Sequence, residues 1–132
     1  MADIKEAEIT TTTTAVTLPT TDETVIVTSP RVSLPFHTCR VVIIAWAQLT
    51  TGTATSAVTP RIRRGGTTAG TLVGAATSET IKVAAGGTEP LFIIVSEERA
   101  GEEAVDYSFT LQQANATGDG SSLQATILVL IL

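Results

Sequence analysis

The hydrophobic positions of this chain fall into short runs, rich in Val, Ile and Thr, separated by turn-forming residues. Eight runs of this kind predict strands over residues 9–18, 24–28, 39–49, 57–63, 81–84, 91–96, 105–113 and 123–132. The separators contain proline or paired glycines, as at Leu18-Pro19 and Gly65-Gly66, and Asp119-Gly120 suits a type I′ hairpin. Because no segment has a helical period, the pattern predicts an antiparallel all-β sandwich or jelly roll.

Two of the predicted strands are apolar on both faces. In residues 39–49, Val41, Ile43, Ala45, Ala47 and Leu49 form one face, and Val42, Ile44, Trp46 and Gln48 form the other. In residues 123–132, Leu123, Ala125, Ile127, Val129 and Ile131 form one face, and Thr126, Leu128, Leu130 and Leu132 form the other. A strand with two apolar faces needs a second covering layer. We expect another subunit to supply it by contacting Ile44, Trp46, Leu128, Leu130 and Leu132; the alternative is a loop or the N-terminal segment of the same chain.

Other parts of the chain are more polar. Val105, Tyr107, Phe109 and Leu111 alternate with Asp106, Ser108, Thr110 and Gln112, which predicts a strand with one solvent-exposed face. Residues 1–8 are mostly charged and are expected to form an extended arm ahead of a β-sandwich domain over residues 9–132. The Thr-rich stretch that follows could add as an edge strand to a neighbour's sheet. The alternative for these first residues is a frayed terminus.

Composition narrows the class of protein. The chain has 132 residues, of which 43% are hydrophobic and 16% charged, and its length fits one domain. A formal net charge of −5 argues against nucleic-acid binding, which depends on attraction to phosphates. The first residues are charged and lack the apolar stretch of a signal peptide, so we expect synthesis in the cytosol or an equivalent compartment. No run approaches the roughly 20 apolar residues of a membrane-spanning helix.

Candidate chemistry is sparse. His37 is the only histidine and Cys39 the only cysteine, which excludes histidine triads, multi-histidine metal centres and an internal disulfide. A pairing of these two residues is formally possible, although a structural cysteine and a surface histidine are favoured. The acidic run over residues 97–103 matches no calcium-loop pattern and is interpreted as a solvated hairpin tip. Arg61 and Arg63 are expected to share a strand face, either solvated or paired with an acidic partner surface. We therefore expect no enzyme and no cofactor.

Four segments together resemble a known group of proteins. They are Val-Val-Ile-Ile-Ala-Trp-Ala at residues 41–47, Arg-Ile-Arg-Arg-Gly-Gly at 61–66, Tyr-Ser-Phe-Thr-Leu at 107–111 and the apolar C-terminal strand. Over residues 37–132 the chain is similar to the TNF/C1q-like jelly-roll virion proteins of tailed bacteriophages. Members of that group form homotrimers that decorate, or cement, the capsid surface, and some use an N-terminal arm to link to neighbours.

The resemblance implies a structural role on the exterior of the virion. Partners would be other copies in a homotrimer, the major capsid protein and neighbouring decoration trimers, with neither nucleic acid nor membrane involved. The arm, through Ile4, Lys5, Ile9, Thr11 and Thr13, would contact the capsid. A second hypothesis is a carbohydrate- or receptor-binding module of a tail or spike. It is weakened because Trp46 and Tyr107, the only Trp and Tyr, lie in strand patterns that suggest burial.

Overall fold

The computed structural model describes residues 6–19, 21–35, 37–74, 80–99, 104–115 and 117–132, and every regular element within them is a β-strand. The strands are β1 (Glu6–Thr12), β2 (Val16–Thr17), β3 (Glu23–Thr28), β4 (Val32–Ser33), β5 (Cys39–Thr50), β6 (Ser56–Arg64), β7 (Thr71–Val73), β8 (Ile81–Val83), β9 (Thr88–Arg99), β10 (Ala104–Val105), β11 (Tyr107–Gln113) and β12 (Ser121–Ile131). In these ranges no helix is long and apolar enough to cross a membrane.

The strands form two main antiparallel sheets that face each other across one core. The first, sheet A, has the order β1-β12-β5-β9, with β2 also paired to β12. The second, sheet B, has the order β3-β11-β6-β7, with β8 also paired to β6, and β4 and β10 make a short separate pair. Neighbours in each sheet come from distant parts of the chain, which is the arrangement of a jelly roll. The predicted antiparallel jelly-roll sandwich is therefore confirmed.

The core lies between the sheets and follows strand alternation. In β5, every second residue from Cys39 to Leu49 is buried, while the residues between them are partly or fully exposed. Tyr107, Phe109 and Leu111 of β11 are fully buried opposite them. These residues are Val, Ile, Leu and aromatic types, which fit a pleated surface and bury much apolar area per side chain. Hydrophobic packing therefore holds the sandwich together without a disulfide, since Cys39 is a free thiol.

Most of the eight predicted strands are present, with ends shifted by a few residues. Residues 9–18 were expected to form one strand, but they are divided between β1 and β2 by exposed residues 13–15. The short strands β4 and β7 were not predicted, because two or three residues carry too little periodicity. Asp119-Gly120 does not form the suggested type I′ turn, which needs positive φ at both residues, since neither has it.

Leu123 does not lie on the face predicted for it. The ladder between β12 and β5 shifts register between Ser122 and Gln124, so Leu123 is the extra residue of a β-bulge. Its side chain is 38% exposed, whereas Ser122 is buried. Assigning faces by alternation assumes an uninterrupted ladder of paired residues. The bulge at Leu123 interrupts this ladder, so the assignment of Leu123 to the core-facing side fails.

The solvent-exposed face predicted for β11 is also wrong. Ser108 and Thr110 are completely buried because β11 is a central strand between β3 and β6, whose side chains cover it. The Ser108 hydroxyl donates to the carbonyl oxygen of Gly65 at 2.6 Å and lies 3.0 Å from Thr28 Oγ1, and the Thr110 hydroxyl lies 3.5 Å from the Arg61 carbonyl oxygen. A polar side chain can be buried without penalty where such partners exist.

The proposed arm overlaps the sandwich. Residues 1–5, including Ile4 and Lys5, lie outside the described residues. Residues 6–8 belong to β1, where Glu6 is opposite Ile131 and Glu8 is opposite Val129. The boundary expected after residue 8 therefore falls inside a paired strand. It marks where the charged residues end and apolar ones begin, but pairing between strands uses backbone hydrogen bonds and does not require apolar side chains.

Candidate self-association surface

The outer face of sheet A, which points away from the core, carries three rows of residues that cross all four main strands. The register places Ala7, Leu130, Val42 and Ser96 in one row, Ile9, Leu128, Ile44 and Ile94 in the next, and Thr11, Thr126, Trp46 and Phe92 in the third. We call these three rows the apolar face. With strands about 4.8 Å apart and same-face residues about 6.8 Å apart, they cover about 400 Å².

Large side chains on this face are open to solvent. The exposed fraction is 63% for Ile9, 39% for Trp46, 68% for Phe92 and 59% for Ile94. Cross-strand pairing brings Trp46 directly opposite Phe92, and Ile44 directly opposite Ile94. A surface of this extent is comparable to the largest apolar patch on a soluble monomer, and such patches are often functional.

The borders of the apolar face are polar. At one end, Arg40 donates to Glu98 Oε1 at 2.8 Å and to Ser96 Oγ at 3.1 Å. At the other end, Gln48 and Gln124 pair across β5 and β12. Thr11 and Thr126 join through their hydroxyls at 3.0 Å. The face therefore has an apolar centre and a polar rim, and the two charges at its margin neutralise each other.

The outer face of sheet B is different, since polar side chains cover it and bind one another. Glu23 of β3 accepts from Arg63 Nη2 at 2.8 Å and lies 3.4 Å from Arg61 Nη1. Arg61 also donates to Gln112 Oε1 at 2.6 Å. Burial alone would raise the pKa of Glu23, but its hydrogen bonds from Arg63 and Thr110 and the charges of both arginines outweigh this and lower it. Arg61 and Arg63 share a face as expected, and their carboxylate partner is in the same chain.

A second carboxylate joins the two sheets. Glu97 of β9 points inward and accepts from Arg64 Nε at 3.0 Å and from Tyr107 Oη at 2.8 Å. Burial acts to raise the pKa of Glu97, but hydrogen bonds from Arg64 and Tyr107 and the charges of Arg64 and Arg99 leave it lowered. Burial, together with this carboxylate, raises the pKa of Tyr107. Glu97 is thus an interior structural group, whereas the sequence placed it in a solvated acidic tip; residues 100–103 lie outside the described residues.

At one end of the sandwich, three loops are held by two side chains. The Asp119 carboxylate accepts from the backbone amides of Gly52, Thr53 and Ala54 at 2.8–3.3 Å. The buried Gln113 amide accepts from Ser56 and Gly120 and donates to the carbonyls of Leu18 and Pro19. The polar side chains at this end of the sandwich are hydrogen-bonded to the backbone of the loops. We therefore interpret their role as holding the loops in place and not as binding a ligand.

Most of the residues predicted for the oligomer interface share one surface. Ile44, Trp46, Leu128 and Leu130 lie together on the apolar face. Leu132 is half-buried just beyond β12, where its backbone amide donates to the Arg40 carbonyl at 3.0 Å. Of the arm residues, Ile9 and Thr11 also lie on the apolar face, and Thr13 is exposed after β1.

Sequence reasoning missed Phe92 and Ile94 as members of this surface. The signal was present, because they alternate with the core-facing Leu91, Ile93 and Val95 and so make β9 a third strand with two apolar faces. What the sequence did not supply was the pairing of β9 with β5, which extends the surface by one strand.

The groups that could carry chemistry stay apart. His37 is exposed while Cys39, two residues on, is buried at the start of β5. Within the described part of the chain, no group of three or more His, Cys, Asp or Glu side chains is arranged to hold a metal ion. The apolar face remains the feature of this structure that calls for a partner.

Comparison with solved structures finds a protein that shares the fold of this chain. No family model and no curated protein matches the sequence. Among solved structures, the chain is similar to one from infectious bursal disease virus strain Gx, with 11% identity and a TM-score of 0.52, covering all of this chain and 34% of that one. The chain thus spans about a third of that protein's length.

Two further structures are more distant. One comes from the T13 particle of infectious bursal disease virus, with 11% identity, a TM-score of 0.45 and coverage of 100% of this chain and 41% of that chain. The other is a Bacillus endospore appendage described as a disulfide-linked pilus, with 18% identity, a TM-score of 0.41 and coverage of 100% and 96%. Of these likenesses, the one with a TM-score of 0.52 shows a shared fold, in agreement with the antiparallel sandwich described above.

Proposed function

We propose that this chain is a structural virion protein that acts as a capsid decoration or cement protein and self-associates through the apolar face. The observation that carries the proposal is the difference between the two outer faces of the sandwich. The outer face of sheet B carries polar side chains that pair with each other around Glu23. The outer face of sheet A leaves the side chains of Trp46, Phe92, Ile94 and Ile9 exposed to solvent. A second copy would cover these side chains and remove their apolar area from water.

The jelly-roll fold of viral capsid proteins supports the structural part of this proposal. The finer points, which are a homotrimer of TNF/C1q type, decoration of a tailed bacteriophage and a position on the capsid exterior, rest on the resemblance described from the sequence. Such a protein would be made in the host cytoplasm and would add to the shell by binding. The role requires no catalysis and no cofactor.

Binding to the major capsid protein is assigned to Ile4 and Lys5, ahead of the apolar face, and to Thr13, which follows β1. Ile9 and Thr11, which the sequence also placed in this contact, lie on the face that a second copy would cover. A trimer presents several copies of the N-terminal segment at once, so weak individual contacts add up to durable attachment. Removing residues 1–5 leaves the whole of β1 in place. This truncated chain is expected to keep the mass of the oligomer and to bind capsids more weakly.

Two measurements test the proposal. Size-exclusion chromatography with light scattering on the full chain is expected to give three times the chain mass of 13.7 kDa. Co-sedimentation with capsids that lack their decoration protein is expected to be saturable. A monomer at micromolar concentration would refute self-association, and a stable oligomer that leaves capsids bare would refute the decoration role.

One observation favours a second candidate, a carbohydrate-binding module. Trp46 and Phe92 form an exposed aromatic pair beside Gln48 and Gln124, whose side-chain amides can hydrogen-bond to a sugar. The aliphatic rows on the other side of the pair offer no such groups, so we rank this function second. Because Trp46 is the only tryptophan, its fluorescence reports on this pair alone. Saturable changes on titration with oligosaccharides would support sugar binding, and a flat response would reject it for the sugars used.

A further inference from the structure

The edge strand β1 is attached to the sandwich in an unusual way. Its core-facing positions carry Glu6, Glu8, Thr10 and Thr12, all of them polar and half-buried. None of the residues of β1 belongs to the buried core cluster. On the outer side, Ala7, Ile9 and Thr11 are exposed. Backbone pairing with β12 over seven residue pairs therefore provides most of its attachment.

The strand that receives β1 is fixed much more firmly. Ala125, Ile127, Val129 and Ile131 of β12 are fully buried, and β5 pairs with the opposite edge of β12. If β1 leaves, β12 stays in place and exposes a row of unpaired backbone groups between apolar side chains. An edge of this kind readily accepts another strand.

A hinge separates β1 from the rest of the domain. Residues 13–15 are exposed and belong to no strand. Directly after them, β2 pairs with β12 at Ser121 and Ser122, which anchors the chain beyond the hinge. A change of backbone direction in these three residues would release β1 and leave the core-forming strands undisturbed.

From these observations we propose that β1 is an exchangeable strand, which pairs with β12 of a second copy of this chain and so links copies by strand swapping. A swapped β1 makes the same seven residue pairs with the new copy as it made with its own. The free energy that opposes the exchange then comes mainly from rearranging the hinge and from the entropy lost on association. A high local concentration of copies reduces the entropy loss.

The register favours another β1 over an unrelated strand as the occupant of this edge. In the closed chain, Ile9 pairs with Leu128, which continues the central row of the apolar face, while small or acidic residues lie toward the core. A foreign strand with bulky residues at the core-facing positions would meet Ile127 and Val129 at the margin of a filled core. The inference rests on the proposed self-association, because copies must meet for strands to exchange.

Disulfide trapping between opposite positions of β1 and β12 tests the exchange. Thr12 is opposite Ala125, and both face inward, so contact between two apolar faces cannot bring them together. In a Cys39→Ala background, the double variant Thr12→Cys with Ala125→Cys is expected to form a disulfide within or between chains, which shows that the geometry allows the bond. The single variants Thr12→Cys and Ala125→Cys, co-expressed with different tags, can form this bond only when β1 has been exchanged.

We expect the co-expressed pair to give at least tenfold more covalent heterodimer on a non-reducing gel than a control in which Thr14→Cys replaces Thr12→Cys. Thr14 lies in the hinge, outside the strand. If the Ala125→Cys variant does not fold, Glu8→Cys with Val129→Cys provides a second inward-facing pair. A disulfide within the double variant, together with none between the co-expressed single variants, would overturn the exchange.

Light scattering on the chain without introduced cysteines separates this result from the proposed function. An oligomer without heterodimer refutes strand exchange and leaves self-association through the apolar face standing. A monomer without heterodimer refutes both.

Discussion

Tyr107 and Glu97 form a hydrogen bond between the two sheets, with the phenol oxygen of β11 donating to the carboxylate of β9 at 2.8 Å. Tyr107 is fully buried, and Arg64 supplies the charge that balances the carboxylate at 2.8 Å. The bond lets a polar group sit inside an apolar sandwich, because donor and acceptor satisfy each other. This hydrogen bond lies at the end of the sheets opposite the three loops that Asp119 and Gln113 hold.

Tyr107→Phe is expected to destabilise the protein by about 1.5–3 kcal/mol, which is the usual range for a hydrogen bond to a charged group. The ring and its packing stay, so the loss reports the hydroxyl alone. Urea denaturation followed by circular dichroism measures it. Glu98→Gln is the matched control, because Glu98 is exposed and its pairing with Arg40 is expected to contribute no more than about 1 kcal/mol. Equal losses in the two variants would contradict the structural role of Glu97.

Acid is expected to weaken the fold through Glu97 and Glu23. Both have a pKa lowered in the folded protein, by hydrogen bonds and nearby arginines that outweigh burial. The unfolded chain therefore binds more protons, so this stabilisation is fully present above the ordinary glutamate pKa of about 4.3 and is lost as the pH falls through the folded values. Glu97→Gln should flatten the fall in the free energy of unfolding below about pH 4.3, as measured by urea titrations at several pH values. An unchanged slope would rule out Glu97 as a source.

A charge at the centre of the apolar face is expected to abolish self-association. Ile94→Asp would place a carboxylate in the row formed by Ile9, Leu128 and Ile44, where a partner would have to desolvate it. We expect the association constant to fall at least a hundredfold, which corresponds to about 2.7 kcal/mol. Light scattering over a dilution series measures it. Thr71→Asp, at an exposed position of β7 in sheet B, is the control and should leave the mass unchanged.

Leu130→Asp probes the part of the interface that was expected from the sequence. Leu130 is half-buried on the outer side of β12, between Ala7 and Val42. We expect the oligomer to dissociate while the circular dichroism spectrum of the β-sandwich persists. An oligomer that survives this substitution would place the contact away from the C-terminal strand.

Replacing the buried amide of Gln113 is expected to loosen one end of the sandwich. Gln113→Leu keeps the side-chain volume but leaves the amide of Gly120 and the carbonyls of Leu18 and Pro19 without this partner. Each buried polar group left unpaired costs roughly 1–3 kcal/mol, so a large loss of stability is expected. Thermal unfolding and limited proteolysis in residues 18–22 and 114–120 measure it. Gln112→Leu, at a half-buried neighbour on the other face of β11, should cost less.

The sequence by itself determined the fold class and the strands that need covering on both faces. Period-2 alternation in β5 and β12 is sufficient for this, because a strand shows both of its faces in its own residue order. It also directed attention to Ile44, Trp46, Leu128 and Leu130, which do lie on one surface. It gave no sign that Glu97 is interior, since a carboxylate in an acidic run is ordinarily solvated and its partners Arg64 and Tyr107 are distant along the chain.

Only the tertiary structure decided which strands are neighbours. The pairing of β9 with β5 adds Phe92 and Ile94 to the apolar face, and the pairing of β1 with β12 adds Ile9. The pairing of β3 and β6 with β11 buries Ser108 and Thr110, which alternation had assigned to solvent. The physical reason is that sheet order depends on contacts between residues far apart in sequence, whereas periodicity is local. A strand's pattern shows which of its faces are apolar, and the sheet decides what lies beside them.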